Sequence, residues 1–264
     1  MADCPGFNDT KRSDTEILQE IAKVLSTQYL LVKKLRLRGI LFLRDITSDR
    51  MGGSDVRTLD IFTRLVGKSA FPHVVFVTTK WGRLDAEGKK AGYRKERELK
   101  NDFWREIILD GATATRFHGS RDSAEGIISQ LVGDAEPVTL QIQRELIDRE
   151  MELAATKAGA MLVPEVEQRL GESKGKLQRF RERLSKTSNG TEQRRVLIDI
   201  QAAEEEIDKA QSDRNRLKEK VGFELKKKIK DSASWQEALR TVCSVVGVVL
   251  SIVIPVATGT CKVM

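Results

Sequence analysis

Short apolar runs alternate with amphipathic helical patterns in the first half of this chain, and this alternation constrains its fold more than any other feature. "RGILFLRDI" (38–46) and "HVVFVTT" (73–79) are typical of buried strands, and "ATATRF" (112–117) is a weaker strand pattern. The helical patterns around them cover 14–34, 54–67, 92–109 and 122–132. Strands that alternate with helices usually pair in parallel. The order therefore predicts an α/β fold with a parallel sheet covered on both faces.

Beyond Pro137 the strand patterns stop, and residues 138–232 carry a helical seam instead. Apolar residues recur at spacings of three and four, with an interruption at Ser173. They are Val166, Leu170, Leu177, Phe180 and Leu184, then Val196, Ile200, Ala203, Ile207, Ala210, Leu217 and Val221. "SKTSNGTEQ" (185–193) divides the two series. In it Asn189-Gly190 can turn the chain and Thr191 can cap the next helix.

This pattern predicts a helical hairpin whose second arm is on the order of 50 Å long. Two interpretations stay open. The hairpin is either an arm for homo- or hetero-association, or an intramolecular extension of the first domain.

The composition supports two regions of different character and favours anionic partners. Charged residues make up 32% of the 264 residues and aromatic residues 5%, and the formal net charge is +7. This balance suits a core domain joined to solvated helices, with nucleotide phosphates or acidic lipids as partners. Nucleic acid is disfavoured because no aromatic platform or recognised motif accompanies the charge. The cysteines Cys4, Cys243 and Cys261 show no pairing framework and no zinc-ligand spacing, which indicates a reducing, cytoplasmic setting.

The chain begins with "MADCPGFND", which contains the tetrapeptide D-x-x-G. In NTPases that switch on the terminal phosphate, the aspartate of this motif reaches Mg²⁺ through water and the glycine amide meets the phosphate. The corresponding residues here are Asp3 and Gly6. The same tetrapeptide is also ordinary turn chemistry, so by itself it does not decide between the two.

Two further segments follow in the order that a guanine-binding domain requires. "VVFVTTKWG" places Thr79 and Lys80 at the end of a strand, where such domains carry [NT]-K-x-D. "RFHGSRDSA" follows the next predicted strand, where a third loop would close over the base.

Together, "DCPGFND", "GILFLRDITSDRMGGS", "VVFVTTKW" and "RFHGSRDSAEGII" resemble the fungal G-domain proteins related to the septin-like and immunity-associated GTPase families. The resemblance covers roughly residues 1–135. It implies a P-loop GTPase fold with a doubly wound sheet, a Mg-GTP ligand and a helical C-terminal extension. Asp3 and Gly6 would then be the remnant of the Mg²⁺ and phosphate switch, and Thr79 and Lys80 the remnant of the base pocket.

The sequence departs from this family pattern at three places. Only Met1 and Ala2 precede Asp3, so the phosphate loop G-x-x-x-x-G-K-[ST] and its strand are missing. "LVGKS" (65–69) does not replace the loop, because Phe62 stands where the first glycine is required. Gly82 occupies the position of the base-reading aspartate, and Asp85 lies at a poor offset.

We therefore expect residues 1–137 to be a partial, N-terminally truncated G domain. Backbone amides and the lysine of the phosphate loop supply most of the affinity for a triphosphate, so binding should be impaired. No catalytic residue can be assigned, and hydrolysis is not expected.

Residues 233–264 are predicted to form a membrane-associating tail. Residues 241–260, "TVCSVVGVVLSIVIPVATGT", are uncharged and span about 30 Å as a helix, which is the thickness of a bilayer core. Basic residues before this run would suit a cytosolic flank. The last four residues, "CKVM", loosely fit a prenylation signal at Cys261. Either the run spans the membrane or Cys261 is lipidated, since spanning would carry Cys261 away from the cytosolic enzymes.

The sequence thus predicts a degenerate GTP-binding protein that is cytoplasmic and attached to membranes by its C-terminal tail. The alternative is a non-enzymatic coiled-coil protein that associates with intact relatives.

Overall fold

Three parallel strands form the sheet of this protein. The computed structural model describes residues 3–30, 37–48, 50–132 and 136–231. Within these residues the strands are β1 (Ile40–Asp45), β2 (Val74–Thr79) and β3 (Thr113–Arg116), in the order β1-β2-β3. Both pairings are parallel, as the alternation predicts, and Asp45 lies opposite Thr79 at the end of the first.

β2 is the central strand, and its side chains explain why both faces of the sheet are covered. Residues 74–78 are all buried, as expected for a β-branched run in the middle of a parallel sheet. Phe76 points to one face and stacks on Trp104 with ring centroids 4.5 Å apart. Val75 and Val77 point to the other face and pack against Ile127 and Leu131.

Helices make up most of the remaining described chain. Their bounds are α1 Asp14–Leu30, α2 Gly53–Val66, α3 Ala86–Glu98, α4 Arg105–Leu109, α5 Arg121–Val132, α6 Gln141–Gln143, α7 Val163–Lys186, α8 Gly190–Leu217 and α9 Val221–Lys230. The fold is therefore helix-rich with a small parallel sheet.

The helix starts follow from capping. Ser13 caps α1, because its Oγ accepts a hydrogen bond from the Glu16 amide at 3.1 Å. The predicted helix over 92–109 in fact begins earlier, since Asp85 caps α3 by accepting from the Gly88 amide at 2.7 Å. It is also interrupted by a π-helical turn at Leu99–Phe103.

α7 and α8 form the predicted hairpin, with 24 and 28 residues, or about 36 and 42 Å at 1.5 Å per residue. The two helices pack along the predicted seam, where Leu170, Ile207 and Ala210 form a buried cluster. The predicted cap at Thr191 is wrong by two residues. Asn189 caps α8, because its Oδ1 accepts from the Thr191 amide at 2.9 Å.

The base of the hairpin is continuous with the core of the first half of the chain. One cluster of buried side chains includes Ile17 and Phe76 together with Leu146, Val166 and Leu217. The described hydrophobic packing therefore crosses residue 137, where the sequence suggests a boundary between two regions.

The predicted tail, residues 233–264, lies outside the described residues, and so do its apolar run 241–260 and Cys261. In the part of the chain that the structure describes, no helix is both long and apolar enough to cross a membrane.

Candidate functional site

The carboxyl edge of the sheet gathers the polar residues that follow β1 and β2. Because Asp45 and Thr79 are paired in the parallel register, Lys80 emerges beside Asp45. In open α/β sheets this edge is where ligands bind. It is therefore the candidate functional site.

Lys80 and Asp45 form the central ion pair of this site. Lys80 adopts a left-handed backbone conformation with φ of 63°, and its Nζ donates to Asp45 Oδ2 at 2.5 Å. Burial opposes the charge on Asp45, but hydrogen bonds from Lys80 and Thr47 outweigh it and lower the pKa of Asp45 to about 2. Thr79 Oγ donates to the carbonyl oxygen of Arg44 at 3.3 Å. Both predicted base-pocket residues are thus bonded to β1.

A second network lies beside it, between β2, α3 and β3. Glu96, 3% exposed, accepts hydrogen bonds from the Arg116 guanidinium, including one from Nε at 2.9 Å. The guanidinium carbon of Arg116 lies 4.7 Å from the ring centroids of both Trp81 and Tyr93. Burial raises the pKa of Glu96, but the hydrogen bond from Arg116, the charges of Lys100 and Arg116 and a hydrogen bond from Thr78 together outweigh it, and the net shift is downward.

The residues after Lys80 are also committed to structure. Trp81 is 6% exposed, and its indole N–H donates to Thr78 Oγ at 3.0 Å. Asp85, the acidic residue nearest to the base-reading position, caps α3. The Trp81 indole N–H and Asp85 Oδ1 are thus both engaged within the protein.

The enclosed space at this edge is small. The cavity next to Asp45, bordered by Ser48 and Lys95, has a volume of about 10 Å³. That is room for about one water molecule, whereas drug-sized ligands occupy pockets of roughly 300–1,000 Å³. This cavity is therefore too small to hold a nucleoside.

Asp3 and Gly6 lie in the segment before α1. Both are exposed, and a Cβ at Gly6 would have nothing within 4 Å. The rest of that segment is held by α1 and the hairpin: the Asn8 amide donates to Asp14 Oδ1 at 2.8 Å, and Ser13 Oγ donates to Asp213 at 2.6 Å. No hydrogen bond or ion pair among the described residues joins Asp3 or Gly6 to Thr79 or Lys80.

The Mg²⁺ that the resemblance implies would depend on Asp3, which offers one exposed carboxylate. Among the residues the structure describes, no group of three or more His, Cys, Asp or Glu side chains could hold a metal ion. Mg²⁺ stays a prediction for this chain.

Asp45, Glu96 and Arg116 are the site residues that sequence reasoning missed. The position of Asp45 could have been predicted from the sequence, because Asp45 ends one apolar strand pattern as Thr79 and Lys80 end the next. The role of Glu96 could not have been predicted in this way, because Glu96 lies inside a long charged helix and only the packing of α3 on the sheet buries it.

The fold and site define a helix-rich protein with a three-stranded parallel sheet, whose carboxyl edge is closed by internal ion pairs. Comparison of the chain with protein-family models, with curated proteins and with solved structures gave no match in any of the three.

Proposed function

We propose that this chain is a degenerate G-domain-like protein with impaired nucleotide binding, held at membranes by its C-terminal residues. The observation that carries the proposal is the position of Lys80. It lies at the carboxyl edge of parallel strands, where a nucleotide would bind, yet its ammonium group is paired with Asp45 at 2.5 Å.

The impairment follows from three local features. Lys80 must leave Asp45 before it can pack over a base, Gly82 supplies no carboxylate, and Asp85 is engaged as a helix cap. Each feature removes a contact that a guanine-binding site needs, or adds a cost to making it.

Phosphate binding is weakened separately. The 264 residues contain no G-x-x-x-x-G-K-[ST] motif, which is the sequence that forms the cradle of backbone amides around the phosphates in P-loop proteins. No residue is assigned to hold Mg²⁺ from such a loop, to orient the attacking water or to act as an arginine finger. We therefore expect GTP to bind with a dissociation constant in the millimolar range and not to be hydrolysed.

Saturation-transfer NMR with millimolar Mg-GTP tests this proposal. The wild-type chain should transfer saturation weakly to the guanine H8 proton. The Asp45→Asn variant should transfer more, because it frees Lys80, and Lys80→Ala should transfer none. Titration calorimetry showing micromolar affinity would contradict the impairment, and absence of transfer in both the wild type and Asp45→Asn would contradict the G-domain relationship.

The alternative function is that of an interaction protein that binds relatives through its helices. The hairpin extends from the core on two long helices, which favours this role. However, the apolar seam, including Val196 and Ala203, is buried in the structure of one chain, so a partner would have to use the outer faces. Concentration-dependent association in sedimentation velocity, together with no GTP contact, would favour this alternative.

A further inference from the structure

The outer face of α8 near the hairpin turn combines exposed aliphatic and basic side chains. Leu197 and Ile198 are 51% and 68% exposed, and Arg194 and Arg195 next to them are also exposed. At 100° per residue, these four side chains share the side of the helix that points away from Val196 and α7. We call this surface, Arg194, Arg195, Leu197 and Ile198, the tip face.

The two arginines of the tip face have no direct ion-pair partner within the described residues. Neither Arg194 nor Arg195 forms an ion pair or hydrogen bond there. Other arginines near the turn are paired: Arg183 with Glu192, and Arg181 with Glu204. Two acidic residues lie between Thr191 and Ala202. Glu192 is paired with Arg183, and Asp199, one turn beyond Arg195, forms no ion pair with it in the described residues.

The tip face also lies far from the core. Described contacts between the hairpin and the core cluster at its base, around Asp213 and Leu217. Residue 197 is 20 residues from Leu217, or about 30 Å along the helix. A flat surface could therefore meet the tip face without touching the sheet.

We infer that the tip face binds an anionic lipid surface. Aliphatic side chains can enter the boundary between head groups and acyl chains, while adjacent guanidinium groups stay at the phosphates. Charge complementarity selects an anionic surface, and the exposed leucine and isoleucine favour lipid over a nucleic-acid backbone, which offers them nothing to bury against. This contact is separate from the apolar run 241–260 and does not depend on nucleotide binding.

Flotation of the full chain with vesicles tests the inference. Phosphatidylcholine vesicles report whatever binding the run 241–260 provides, and vesicles that also contain phosphatidylserine add the anionic surface. Arg194→Ala/Arg195→Ala should weaken binding to the anionic vesicles by about 25-fold, because each arginine near the surface contributes about fivefold. Leu197→Ser/Ile198→Ser should weaken it by about tenfold or more. Neither variant should change binding to phosphatidylcholine.

Two matched variants control for diffuse charge and for surface apolarity. Lys174→Ala/Arg179→Ala removes the same charge from exposed positions of α7, and Leu109→Ser removes an apolar side chain that is 70% exposed elsewhere. Both should bind like the wild type.

Wild-type binding by both tip-face variants would overturn the inference, and so would an equal loss in the controls. Loss in the arginine variant alone would overturn it as well, because the tip face would then bind by charge only, without burying Leu197 and Ile198. None of these outcomes bears on the Lys80 site, so failure here is distinguishable from failure of the proposed function.

Discussion

The carboxyl edge of the sheet and the tip face of α8 both carry basic side chains, but they differ in how that charge is compensated. Lys80 and Arg116 are paired with Asp45 and Glu96. Arg194 and Arg195 have no such partner in the described chain. Charges near a packed core must be paired because desolvation is costly, whereas charges on a projecting arm stay in water. The difference indicates that the sheet edge serves stability and that the hairpin tip is free to meet a partner.

Arg116→Ala should give the largest change, because it leaves Glu96 buried without its main partner. We expect a loss of about 2–3 kcal/mol in the free energy of unfolding, below the value for a fully buried pair, since Arg116 is partly exposed and Lys100 still lies near Glu96. Urea unfolding measures this. The double variant Glu96→Gln/Arg116→Met should recover much of the loss. A single variant as stable as the wild type would show that the pair is not structural.

Asp213→Ala should have the next largest effect. Asp213 is 5% exposed and joins Ser13 to Arg169 at the base of the hairpin, with Arg169 Nη2 donating to it at 2.7 Å. Losing a buried, charge-assisted network should cost about 2 kcal/mol. Asp208→Ala, at an exposed position of the same helix, should stay within about 0.5 kcal/mol of the wild type in the same urea titration. Equal effects would mean that the base of the hairpin does not depend on this contact.

Lys80→Met should raise the pKa of Asp45 from about 2 towards its ordinary value near 3.9. The folded-state pKa is depressed, so the pair's contribution to stability is present above about pH 4 and is lost as pH falls towards 2. The variant should therefore lose less stability than the wild type over that window. Carboxyl chemical shifts of Asp45 against pH measure the change. An unaltered titration would show that Thr47 and the backbone, not Lys80, set this pKa.

Arg194→Ala/Arg195→Ala should have the smallest effect on folding, within about 0.5 kcal/mol, because neither side chain has a partner to lose. Thermal unfolding of this variant beside Arg116→Ala compares the two regions directly. A destabilisation similar to that of Arg116→Ala would show that the tip-face arginines are structural and would remove the contrast between the regions.

The sequence predicted the local elements well where one strong pattern acted alone. The runs at 38–46 and 73–79 are strands, as their apolar patterns predicted. Only the second is a buried central strand, whereas β1 is partly exposed and Leu43 is 64% exposed. The hairpin follows from its apolar seam. The starts of the helices were harder to predict from the sequence. Asp85 was considered for base recognition and Asn189 for the turn, but both are helix N-caps. Several polar residues near each start could have served as the cap.

By itself, then, the sequence determined the three strands, the parallel class of the sheet and the helical hairpin, because apolar periodicity records which face of each element avoids water. Only the tertiary structure decided the pairing of Lys80 with Asp45 and the burial of Glu96 under Arg116. These contacts depend on strand register and helix placement. The fold brings together residues far apart in sequence: Arg116 and Glu96 are separated by 20 positions, and Ser13 and Asp213 by 200. No local pattern encodes such distances, so the chemistry of the candidate site emerged only with the fold.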